Sequence, residues 1–160
     1  MKTLERIAVI AFVAFIATTT AFAQEWTKEQ KEVWKVVEDS WTSWKAGDIE
    51  GSTACIHEKY QGWNEESPLP LNKEMVKAWF NEMKEKGKPD YFSLNPARIV
   101  VSDNAAVVDY FFTLSVSYTV GAEKKQEAVK GRNAEFYVKV SGKWLLLGDM
   151  TVYEDTEDKD

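Results

Sequence analysis

The chain has 160 residues, 44% hydrophobic and 13% aromatic, which fits one domain with a substantial core and excludes a multidomain array. Its formal net charge is −6 at pH 7 and it carries no Lys/Arg stripe, which argues against nucleic acid as a partner, since that binding rests on neutralising phosphates. Cys55 is the single cysteine and His57 the single histidine, so neither an intramolecular disulfide nor a zinc site of three or four ligands is expected.

Residues 1–23 read as a cleaved secretory signal. Lys2 and Arg6 supply a basic start, and residues 7–17 form an apolar run too short to span a bilayer. Ala21-Phe22-Ala23 is an A-x-A cleavage site. The expectation is export to a periplasmic or extracellular compartment, with no membrane attachment after cleavage. Residues 24–153 then form one domain, and residues 154–160 an acidic, frayed tail.

Three helices are expected first. Thr27-Lys28-Glu29-Gln30 matches a capping box, and Val33, Val37, Trp41 and Trp44 follow at spacings that place them on one face. Gly47 ends that helix near Ala46, and Asp48 caps a short second one extending to about Glu58. Tyr60-Gln61-Gly62-Trp63 reads as a short strand. Ser67-Pro68-Leu69-Pro70 is a loop. Asn72 caps a third helix carrying Met75, Val76, Trp79, Phe80 and Met83 on one face, closed by Gly87 and Pro89.

Strands follow. Residues 91–102 form one, with Pro96 marking an edge or a bulge. Asp103-Asn104 is a turn, and residues 105–120 are a long strand rich in β-branched and aromatic residues. A polar tip at 121–126 leads into a strand over 127–139. The last hairpin has two possible registers. A two-residue turn at Ser141-Gly142 pairs Val140 with Lys143. A three-residue loop pairs Lys139 with Lys143 and puts Gly142 in a G1 bulge. The second gives coherent faces and is the expected one. Val138, Trp144, Phe136, Leu146, Ala134, Gly148, Arg132 and Met150 then face the helices, while Tyr137, Leu145, Glu135, Leu147, Asn133 and Asp149 face away. A slip of one residue would exchange the faces.

Trp44-Lys45-Ala46-Gly47-Asp48, residues 56–63 (IHEKYQGW), and Gly131-Arg132 with Tyr137-Val138-Lys139 and Gly142-Lys143-Trp144-Leu145-Leu146 carry a resemblance. Over residues 29–153 the chain resembles the nuclear-transport-factor-2-like superfamily, in its SnoaL-like and ketosteroid-isomerase-like branch. The resemblance implies an α+β fold of cystatin-like type. In it a cone-shaped, curved antiparallel sheet wraps about three N-terminal helices around a pocket. It also implies homodimers through the outer face of the sheet. Catalytic members place acids, tyrosines or histidines in the pocket, often with a His six residues after the last-strand Trp. Met150 stands there in this chain, which removes that acid/base candidate.

The candidate pocket residues are Trp41, Trp63, Trp79, Tyr110, Arg132, Trp144 and Met150. Seven tryptophans suit a flat apolar ligand. Arg132 is either a clamp for a ligand carboxylate or an edge residue paired with a surface acid. The reading is therefore a binder of a small hydrophobic or aromatic, acidic ligand, without cofactor. A second reading is a cofactor-independent isomerase or lyase in which Asp109 turns inward as base beside Tyr110. A third is an interaction module whose pocket is filled by its own aromatics.

Overall fold

A computed structural model describes residues 25–65, 67–120 and 123–154. The expected signal segment, and all but the first residue of the expected tail, lie outside them. Helix α1 spans Lys28–Ala46, α2 Ile49–Thr53 and α3 Lys73–Lys86. The strands are β1 (Ile56–Asn64), β2 (Gly87–Ser102), β3 (Ala105–Val120), β4 (Glu123–Val140) and β5 (Lys143–Tyr153), in the sheet order β1-β5-β4-β3-β2. Four strands are antiparallel. The short β1 runs parallel to β5 at one edge, a departure from a purely antiparallel sheet.

Local chemistry sets the helix ends as expected. Thr27 and Gln30 form the reciprocal capping box, Gly47 takes the left-handed conformation at the end of α1 (φ 77°), and Asn72 caps α3 through the Met75 N–H. α2 is shorter than expected. It stops at Thr53, and His57 and Glu58 lie in β1, whose partner strand outweighs the weak helical pattern there. Gly87 and Pro89 do not merely close α3 but begin β2. Pro89 and Pro96 each sit beside a register shift on this edge strand, where a missing N–H costs little.

The last hairpin corrects the expected register. The turn is the two-residue one, with Ser141 at φ 50° and Gly142 at φ 80°, the geometry that matches strand twist. It pairs Val140 with Lys143, Lys139 with Trp144 and Tyr137 with Leu146. A bulge between Phe136 and Tyr137 then gives Glu135 opposite Asp149 and Asn133 opposite Thr151. The two faces of β4 are therefore exchanged. Tyr137 and Glu135 are buried against the helices, while Phe136, Arg132 and Met150 are exposed on the outer face. Two details make this arrangement affordable. Lys139 reaches Glu32 on α1 at 2.8 Å and lies 5.0 Å over the Trp144 ring, so an inward lysine ends in an ion pair rather than in the core. The Glu135 carboxylate receives two tyrosine hydroxyls.

The core lies between α1 and the concave face of the sheet. Val33, Trp34, Val37 and Trp44 of α1 meet Val108, Tyr110, Phe112 and Leu114 of β3. Val33 and Val108 have no exposed surface, so Val33→Ala should lower stability by about 2 kcal/mol, as read from urea unfolding midpoints.

Candidate functional site

The concave face of the sheet and the inner sides of α1 and α3 enclose a cleft of about 1400 Å³. One wall is aromatic. Trp41 and Trp44 stand 5.4 Å apart on α1, Trp44 meets Trp79 and Phe80 of α3 at 5.9 and 5.3 Å, and Trp41 meets Phe112 of β3 at 5.4 Å. These are mostly edge-to-face and tilted contacts, the favourable arrangements for such rings. The periodicity of α1 and α3 and the inward parity of β3 are what bring these residues together.

The opposite wall is polar. The Glu135 carboxylate accepts the Tyr110 and Tyr137 hydroxyls, each at 2.7 Å, and a long contact from Asn133 Nδ2 at 3.5 Å. Tyr110 Oη in turn accepts Trp41 Nε1 at 3.0 Å and Asn133 Nδ2 at 2.8 Å. Next to it, the Tyr60 hydroxyl donates to Asp149 Oδ1 at 2.8 Å. Glu135 and Asp149 are cross-strand partners, so the bulge delivers two carboxylates to one inner surface. Burial pushes the Glu135 carboxyl up to about 7, against the lowering effect of the Tyr137 and Tyr110 hydroxyls and with a smaller raising effect from Asp149. Burial likewise raises Asp149, opposed by Tyr60 and by the Trp63 backbone. Tyr60, Tyr110 and Tyr137 are all raised by burial and then by the neighbouring carboxylates, and each remains a neutral donor.

The sequence-derived candidates divide. Trp41, Trp63 and Trp79 line the cleft, the last two with 47% and 44% of their surface exposed. Tyr110 lies just behind the wall, fully buried, with its hydroxyl in the Glu135 network. Trp144 is buried but packs under Lys139, away from the cleft. Arg132 and Met150 are outside, because the two-residue turn and bulge turn them outward. Asp109 is outside too. Strand parity sends Val108 and Tyr110 inward, and Asp109 pairs with Arg98 of β2 at 2.6 Å on the outer face. It cannot serve as the inward base. Glu135, Asp149 and Asn133, expected to face outward, hold the inner wall instead. The signal for them was the alternation Asn133-x-Glu135-x-Tyr137, three hydrogen-bonding side chains of one parity.

Cys55 is half-buried, and burial first and the Glu135 charge second push its thiol up to about 11, a structural thiol rather than a nucleophile. His57 Nδ1 accepts the Lys59 N–H at 3.0 Å within β1. Among the described residues, no three His, Cys, Asp or Glu side chains are grouped to hold a metal ion.

Comparison with solved structures defines the class. A conserved protein from Planctomyces limnophilus matches with a TM-score of 0.71 at 14% identity, over 79% of this chain and 96% of its own. A ketosteroid isomerase-like protein from Erwinia carotovora atroseptica matches with a TM-score of 0.68 at 13% identity, over 80% and 98%. A nuclear-transport-factor-2-like protein from Cytophaga hutchinsonii gives 0.65 at 12%, over 80% and 100%. No family model and no curated protein matches the sequence. The chain has the nuclear-transport-factor-2-like, cystatin-like α+β fold, with an aromatic cluster compatible with a ligand pocket. At these identities the likeness carries the fold and not the activity.

Proposed function

We propose that this chain is an exported binder of a small, largely apolar molecule held in the cleft between sheet and helices. The observation that carries the reading is the cleft itself. Its volume of about 1400 Å³ remains open although Trp41, Trp44, Trp79 and Phe80 all stand at its wall, which disfavours a module filled by its own aromatics. The expected anion clamp falls with the outward placement of Arg132. The neutral fluorophore Nile red should bind at one equivalent per chain and quench tryptophan emission. Thr151→Trp, on the cleft wall, should abolish that binding. Wild-type protein that shows no saturable binding would overturn the reading.

The paired carboxylates favour a second reading, a cofactor-independent isomerase or lyase. A carboxylate raised toward neutrality in an apolar pocket can take a proton from carbon next to a carbonyl and return it elsewhere on the same molecule. Asp149 and Glu135 would fill that role rather than Asp109. Deuterium uptake by an enolisable aromatic ketone in heavy water, lost in Asp149→Asn, is the expected signature.

Export rests on the N-terminal sequence, and Edman sequencing of the exported protein should begin at Gln24. The reading also includes a homodimer through the outer sheet face. Phe111, Phe136 and Met150 are there about half exposed, more apolar surface than a solvent-facing sheet carries. Phe136→Lys should turn a dimer into a monomer in sedimentation velocity. Wild-type sedimenting as a monomer at tens of micromolar would dismiss the dimer.

A further inference from the structure

The charge of the cleft is one-sided. Among its described lining residues there is no Lys, Arg or His, but there are five carboxylates, Glu65, Glu127, Glu135, Asp149 and Glu154. Several of these, such as Glu127, are exposed and solvated, so their number alone says little. The inner wall says more. The hydroxyl protons of Tyr110 and Tyr137 go to Glu135 and that of Tyr60 to Asp149, so none of these three is offered to a ligand. Both Asn133 amide donors are directed at Tyr110 and Glu135, and the Asn133 Oδ1 atom is buried with no hydrogen-bond partner. An unmet buried acceptor is costly and calls for a donor. The tryptophan faces opposite are electron-rich and attract a cation and not an anion.

We propose that the cleft takes an organic cation, a protonated amine on a flat apolar body, its charge held between Asp149, Asn133 and the faces of Trp41 and Trp44. The inference deepens the small-molecule reading and rests on it. An acidic ligand would bring a second negative charge against Asp149 and Glu135, and would leave Asn133 Oδ1 without a donor. A neutral apolar ligand would cover the rings but leave the acceptors unanswered. The cation satisfies both walls, and the acidic chain as a whole draws it in.

Proton linkage supports the same assignment. Glu135 is held near neutrality by burial, and a cation beside it favours loss of its proton. The titratable groups that face Glu135 are Asp149 of β5, Tyr60 of β1, Tyr110 of β3, Tyr137 of its own strand and Cys55 before β1. The four beyond Asp149 stay neutral between pH 6 and 8, so Glu135 and Asp149 set the response.

Calorimetric titration of the full folded chain with three naphthalene probes tests this. The 1-naphthylmethylammonium ion should bind about tenfold or more tighter than 1-naphthylmethanol, and 1-naphthylacetate should bind weakest. The ammonium affinity should rise between pH 6 and 8 while the alcohol affinity stays level. Asp149→Asn keeps an acceptor for Tyr60, and should bring the ammonium within about twofold of the alcohol. Thermal melts establish that the variant is folded. Equal binding of ammonium and alcohol, or tighter binding of the acetate, overturns the cation inference and leaves the small-molecule reading standing. Ammonium binding that survives Thr151→Trp overturns it as well, because the cation then sits outside the cleft. Failure of all three probes to bind wild-type protein overturns both readings.

Discussion

Stability of the folded chain should fall as pH rises from about 5 to about 8, by about 3 kcal/mol, opposite to the trend of an ordinary acidic protein. The cause is Glu135. Its carboxyl titrates near 4.5 when the chain is unfolded and at about 7 in the fold, where burial disfavours the charged form. Between those values the folded state keeps a proton that the unfolded state has released. Its contribution is therefore fully present below the unfolded value and is lost as pH rises through the folded one. Asp149, also raised by burial, acts in the same direction. Glu32 and Glu58 are lowered by their lysine partners, Lys139 and Lys73, and act in the opposite sense at lower pH, where exposure keeps their effect small. Glu135→Gln should flatten the profile, because the amide fills the same space and cannot ionise. Glu135→Ala should cost about 3–5 kcal/mol at pH 5, since it opens a void and leaves the Tyr110 and Tyr137 hydroxyls buried without their acceptor. Urea unfolding at pH 5, 6.5 and 8 measures all three proteins. A wild-type stability that is flat or rises across that range would show that Glu135 is ionised throughout.

The two kinds of element differed in how far sequence could read them. Helix α1 was legible end to end, because Thr27, Gln30 and Gly47 act on backbone groups within one turn of themselves, and Val33, Val37, Trp41 and Trp44 follow one period. β3 was legible in its extent, residues 105–120, but not in its parity: the sequence left Asp109 free to turn inward, whereas Val108, Tyr110, Phe112 and Leu114 are the buried set. The inner wall was not legible, because it depends on a relation between strands. Its geometry needs both the two-residue turn at Ser141-Gly142 and the bulge at Leu147, opposite Phe136 and Tyr137, and no local residue announces the bulge. The apolar set Phe136, Val138 and Ala134 looked like a core face, whereas Tyr137 and Glu135, which are buried, looked like a surface one. Hydrophobicity was misleading at this point because a buried carboxylate was matched by tyrosine hydroxyls, and because the outer face of the sheet is itself apolar.

That inversion changes what chemistry the site can offer. With Arg132 outside and Asp109 tied to Arg98, the described cleft lining has no Lys, Arg or His, and its charged groups are carboxylates. The same two carboxylates that would hold a cation are those that would move a proton in an isomerase. The distinction lies in Asp149→Asn. Loss of cation preference without any deuterium exchange in the wild type marks a binder, and exchange lost with Asp149 marks an enzyme.

Trp41→Ala should be the most damaging change on the aromatic wall. Trp41 joins the two walls. Its ring packs on Trp44, Phe92 and Phe112 at 5.4–5.6 Å, and its Nε1 donates to Tyr110 Oη, which carries the chain of hydrogen bonds on to Glu135. Removing the indole takes away a large apolar body as well as that donor, so the cost should be about 3–5 kcal/mol. Trp41→Phe restores most of the packing and loses the hydrogen bond alone, and should cost about 1–2 kcal/mol. The two should differ in binding too. The Ala variant removes a face that a flat ligand covers and should weaken 1-naphthylmethanol by about tenfold, whereas the Phe variant should weaken it by less than about threefold. Neither touches a carboxylate, so the fall of stability with pH should persist in the Phe variant, because Tyr110 still donates to Glu135 and still accepts from Asn133. Should Trp41→Phe abolish the pH dependence, burial would not be what holds the Glu135 proton, because loss of the indole N–H weakens Tyr110 as a donor and by itself favours that proton further. Should Trp41→Ala bind the alcohol as tightly as wild type, the aromatic wall would be core packing, and the ligand, if held in the cleft, would rest on α3 and the sheet alone.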